Sequence, residues 1–123
     1  MKRILVLIIT LSIGIFTVGC SSKLSVESLD IPIKDNMELK ETYNKKIEKT
    51  KIEISTYEIK NENLDTFLEG YEKDLEKDGW TTRTNMKPNG IVSEKDDNSV
   101  TFIVYEDSEK LLLDIIPTPK ADT

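Results

Sequence analysis

The chain has 123 residues, of which 33% are charged and 37% hydrophobic, and it carries a formal net charge of −6. That length leaves room for one domain and no second core. With no histidine and a single cysteine, Ser-His and Cys-His nucleophilic pairs, His-bearing metal sites and an intramolecular disulfide are all excluded.

At the N-terminus, Lys2 and Arg3 precede a nearly unbroken apolar run from Ile4 to Phe16, followed by Thr17-Val18-Gly19-Cys20. A charged start, a short apolar stretch and a small residue before the cut are the parts of an export signal. The run reaches about 16 residues to Gly19, short of the roughly 20 that a membrane-spanning helix needs. It has no polar face, which argues against a core helix.

At these residues the chain resembles bacterial lipoproteins, whose signal ends in a small residue followed by an obligatory cysteine. Val18-Gly19-Cys20 has that form, although Thr17 stands where the family usually carries an aliphatic residue. The resemblance covers about the first 20 residues, and no family is suggested for the remainder. It implies a signal peptide over 1–19, cleavage by signal peptidase II and a diacylglycerol thioether on Cys20. The mature chain would then be held by lipid on the extracytoplasmic side of the cell membrane. Two acyl chains give stable anchoring where one gives only marginal binding, and lipidation accounts for the unpaired cysteine of an exported chain.

Loss of the leader removes Lys2 and Arg3, leaving 15 basic residues against 23 acidic ones. The overall field of such a domain makes DNA, RNA and anionic lipid headgroups poor partners. Residues 20–30 contain four serines and read as a flexible tether that reaches at most about 35 Å. The domain proper is expected over 31–119, with a loose end over 120–123.

Within the domain, alternation at Met37, Leu39 and Tyr43 predicts a first strand, and Ile52 and Ile54 a second. The phase then moves to Tyr57 and Ile59, which suggests a bulge or a change of buried face. Asn44 to Lys46 mark the expected bend of this hairpin. Leu64, Phe67, Leu68, Tyr71 and Leu75 recur at spacings of three and four, predicting a helix between Asn63 and Asp78. Asn61 or Asn63 suits its N-cap, Gly79 the left-handed position after it, and Trp80 a contact back onto Leu75. Four further strands are expected at Trp80–Met86, Ile91–Glu94, Ser99–Tyr105 and Lys110–Ile116. Pro88-Asn89-Gly90 and two acidic turns separate them, and Pro117 and Pro119 close the last. The fold class is α+β: one amphipathic helix packed on an antiparallel sheet of about four to six strands.

Among candidate sites, Glu94, Asp96 and Asp97 lack the alternating ligands and the glycine of a calcium loop. There is no Gly-rich phosphate loop, nucleophile elbow or metal-ligand cluster, so a non-catalytic protein without a cofactor is expected. Charge is uneven along the chain: Lys45, Lys46, Lys49 and Lys51 fall close together, whereas the helix region carries Glu62, Asp65, Glu69, Glu72, Asp74, Glu76 and Asp78. In the last hairpin, Val100, Phe102, Val104, Leu111, Leu113 and Ile115 belong under the helix. Ile103, Tyr105, Leu112 and Ile116 then point the other way, interrupted by Thr101 and Asp114. A half-exposed antiparallel strand should be mostly polar there. Either the N-terminal hairpin folds over this face, or it is open to a partner or to a second copy.

These observations lead to the expectation of an anchored surface lipoprotein that binds or supports another envelope component. The alternative is a protective, immunity-type lipoprotein whose acidic surface sequesters a cationic toxin, peptide or hydrolase.

Overall fold

The structure, a computed structural model, describes residues 23–119. The 1–19 leader, Cys20 and residues 120–123 lie outside them. Seven strands form one sheet: β1 (Lys23–Leu24), β2 (Met37–Ile47), β3 (Thr50–Ile59), β4 (Thr81–Met86), β5 (Gly90–Lys95), β6 (Asn98–Asp107) and β7 (Lys110–Thr118). Among the described residues one helix, α1 (Leu64–Lys77), connects β3 to β4. The α+β class holds, and the sheet is larger than the four to six strands expected.

The extra strand is β1, which pairs parallel with Lys51 and Ile52 of β3. Two residues have no periodicity to read, and they fall in the serine-rich stretch expected as tether. The serines there serve a tight turn instead. The Ser25 amide donates to Ser28 Oγ at 2.9 Å and the Ser28 amide to Ser25 Oγ at 3.1 Å, so the hydroxyls satisfy the backbone that a flexible linker would leave to water. Val26 and Leu29 are buried in the core. The folded part therefore includes residues before 31, and the first described strand starts three positions after Cys20 in the sequence.

β2 runs antiparallel to the whole length of β3, while β1 and β7 share the other edge of β3. From β7 the sheet continues antiparallel through β6, β5 and β4. The N-terminal hairpin thus widens the sheet at its edge rather than covering a face. Its turn is at Glu48 and Lys49, beyond the expected bend at 44–46, with Glu48 in the left-handed region at φ 57°. The irregularity lies in β2 between Leu39 and Glu41. β3 itself is regular and is buried on both faces, with Ile52 and Ile54 on one side and Tyr57 and Ile59 on the other. That double burial, not a bulge, produces the phase change in its sequence.

The helix ends as the sequence requires. Asn63 caps it, its side chain accepting from the Thr66 amide at 3.1 Å. At the other end, Trp80 N–H donates to Leu75 O at 2.9 Å and Gly79 N–H to Glu76 O at 3.0 Å, with Gly79 at φ 96°. These two bonds define a Schellman ending and return the chain onto the core. Phe67 stacks on Tyr71, and Tyr71 meets Phe102 of β6 edge to face. The buried Tyr71 hydroxyl donates to Pro32 O at 2.8 Å, tying the helix to the segment before β2.

Among the described residues the buried core cluster runs from Val26 to Ile115, including Val100, Phe102, Val104, Leu111 and Leu113 beneath the helix. Pro117 is tolerated inside β7 because the ladder to β3 ends at the Ser55–Ile115 pair, so its missing N–H has no strand to serve on that side. The Ser108-Glu109 turn of the last hairpin places both residues at positive φ, as a two-residue connection between right-twisted strands demands. At Gly90 the demand is for space: an added Cβ would sit 3.0 Å from the Phe102 carbonyl oxygen. Ser93 Oγ is buried without a hydrogen-bond partner among the described residues. Ser93→Ala removes that unsatisfied hydroxyl, and its unfolding free energy from chemical denaturation should be unchanged or raised by up to about 1 kcal/mol.

Candidate partner-binding face

With α1 on one side of the sheet, the opposite side is set by strand alternation alone. Thr101, Ile103 and Tyr105 of β6 lie on it opposite Ile116, Asp114 and Leu112 of β7. The four residues expected as a partner surface are therefore adjacent, in three consecutive cross-strand rows. Ile103 is exposed, at 38%, and Tyr105, Leu112 and Ile116 are half-buried. The face continues onto both neighbours. Gly90 pairs with Ile103 and Met86 with Gly90, so Met86, 47% exposed, extends the apolar row across β5 and β4. On the other flank Tyr43, 48% exposed, lies opposite Ile54.

The centre of this face is polar and internally satisfied. Asp114 Oδ1 accepts from Thr56 Oγ1 at 2.7 Å and from the Tyr105 hydroxyl at 3.1 Å. Partial burial, then the hydrogen bond and charge of Asp114, push the Tyr105 hydroxyl up to about 12. One row away, Glu58 sits between Lys60 at 3.3 Å and Lys40 at 3.6 Å. Its burial alone would raise its pKa, but the Lys60 hydrogen bond and the charges of Lys60, Lys110 and Lys40 outweigh this and hold the carboxyl below its ordinary value. An open groove of about 340 Å³ runs past Thr56, Glu58, Tyr105, Lys110 and Leu112. Apolar side chains around a fixed hydrogen-bonded centre suit non-covalent recognition of another surface.

The other charged features are more fully committed to the fold. On the helix, Glu72 is held by Lys87 and Thr82, and Asp74 by Lys34, which also reaches Glu62 just before the helix. Asp65, Glu69, Glu76 and Asp78 remain exposed. In the β5–β6 turn region Glu94 pairs with Arg83 at 2.8 Å, and among the described residues no three acidic side chains converge as a metal site would need. No described helix is long and apolar enough to cross a membrane. Cys20 lies outside the described residues.

Comparison with family models, curated proteins and solved structures finds no match. Met86 and the Thr56–Asp114–Tyr105 cluster are the parts of the face that strand patterns did not indicate. Met86 ends a strand of polar residues, and Thr56 meets Asp114 across 58 positions of sequence. Only the strand order brings either to Ile103.

Proposed function

We propose that this chain is a lipid-anchored, non-catalytic protein of the cell envelope, and that it binds another envelope protein through the sheet face opposite its helix. The observation that carries the reading is the continuity of exposed Met86, Ile103 and Tyr43 with half-buried Tyr105, Leu112 and Ile116. A solvated antiparallel face is mostly polar, and a run of large apolar groups on it marks an interaction site. The lipobox-like Val18-Gly19-Cys20 supports the anchor.

The test is a pair of charge insertions, Ile103→Lys and Met86→Lys, at positions that are already exposed. Both variants should melt within about 0.5 kcal/mol of the parent, as surface changes do, and both should lose the protein that co-purifies after cross-linking. Retention of that protein by two folded variants would move the binding site elsewhere. Unfolding of both would show the row to be core.

The second reading, sequestration of a cationic toxin, peptide or hydrolase, draws on exposed Asp65, Glu69, Glu76 and Asp78. Capture by those carboxylates would weaken steeply between 0.05 and about 1 M salt, where the screening length contracts to about 3 Å, while an apolar interface would not.

A further inference from the structure

Although the mature chain is acidic overall, the structure gathers five of its lysines at one end. β1 lies beside Lys51 and Ile52, so Lys23 joins Lys45, Lys46 and Lys51 around an open groove of about 280 Å³, with Lys49 at the adjacent turn. Lys23 pairs with Glu53 at 3.3 Å; the other four lysines are exposed and have no ion pair among the described residues. Within residues 44–53 the acids are Glu48 and Glu53 against four lysines, so positive charge is in excess along this hairpin end. From Thr50, β3 runs roughly 30 Å to Ile59, where the neighbouring β6–β7 turn carries Glu106, Asp107 and Glu109. The basic end is also the end nearest the proposed anchor: Cys20 precedes Lys23 by three residues, a reach of about 10 Å when extended.

We propose that the β2–β3 hairpin end is a membrane-docking surface that takes anionic lipid headgroups, orienting the domain on the bilayer that holds its anchor. The proposal rests on Cys20 as the anchor point but supplies what lipid alone does not, a fixed attitude. A net negative domain is repelled by an anionic surface on average, yet its orientation follows the charges that lie within a screening length of that surface, about 10 Å at 0.1 M salt. Lysines held there each strengthen attachment by roughly fivefold. Docked in this way, the acidic turn at 106–109 points away from the bilayer.

The experiment uses the mature chain from residue 20, which contains every described residue of the core cluster, with one C14 chain attached chemically to the Cys20 thiol so that membrane binding is weak enough to measure. Binding to phosphatidylcholine vesicles is compared with binding to vesicles containing 30 mol% phosphatidylglycerol. At 0.05 M salt the anionic vesicles should bind at least tenfold more tightly, with the contrast gone at about 1 M salt. The Lys45→Gln, Lys46→Gln, Lys49→Gln, Lys51→Gln variant should lose the contrast, and Lys73→Gln with Lys77→Gln on the helix should keep it. Replacing chloride by inorganic phosphate at equal ionic strength should leave the contrast intact; its selective loss would mean a phosphate site in place of a lipid surface. Equal or weaker binding to anionic vesicles would overturn the proposal. Because the chain is attached chemically, failure of Cys20 to be lipidated in cells would leave this result standing.

Discussion

Trp80→Ala should lower the unfolding free energy by about 3 to 5 kcal/mol, the range for emptying a buried aromatic site. Trp80 is 2% exposed and belongs to the core cluster, so the cavity would open directly beneath the helix end. Its backbone is committed as well, since its N–H makes the closing bond of the Schellman ending to Leu75 O. Its indole Nε1 has no partner among the described residues, so Trp80→Phe should cost distinctly less than Trp80→Ala. Lys95 stands 5.8 Å over the ring, which adds a contact on the solvent side. The neighbouring Gly79→Ala should cost about 1 kcal/mol, and the reason is conformational. At φ 96° a Cβ is disfavoured, whereas the nearest atom it would meet is the flexible Lys95 Cε at 3.4 Å. Chemical denaturation of the three variants checks the order. Near-parental stability of Trp80→Ala would remove this corner from the core.

Cys20→Ser should abolish lipid attachment altogether and leave the precursor uncut, with its apolar Ile4–Phe16 leader still on the chain. A thioether needs the thiol, and the chain holds no second cysteine to substitute. The effect is all-or-none because a serine hydroxyl cannot form the thioether. Metabolic labelling with a fatty acid, together with the intact mass of the product, reads both steps. A Cys20→Ser chain that is still cut before residue 20 and still carries label would place the lipid elsewhere.

The helix and its caps were legible because both depend on local chemistry. Apolar residues at spacings of three and four, Asn63 before them and Gly79-Trp80 after them each act within a few residues of the backbone groups they satisfy. The last hairpin was legible for a similar reason: alternation over ten residues fixes which side chains share a face, so Ile103, Tyr105, Leu112 and Ile116 emerge together. The parts not legible depend on pairing over distance. Lys23-Leu24 becomes a strand only because Lys51-Ile52 offers a free edge beyond the end of β7. The phase change in β3 left a bulge and a change of buried face both open, because double burial in a regular strand depends on neighbours that local alternation does not identify. The hairpin expected to cover the open face instead extends the sheet, since β2 finds its hydrogen bonds along the full edge of β3.

The most direct measurement is site-specific photo-cross-linking on intact cells, with the photoreactive residue placed at Ile103 in one strain and at Glu69 in another. Both positions are exposed, one on the open sheet face and the other on the acidic helix. Binding through the sheet face predicts a discrete adduct from position 103 that is absent from position 69 and absent when Met86→Lys is combined with it. An adduct from position 69 with none from 103 would contradict that account and place recognition on the acidic helix.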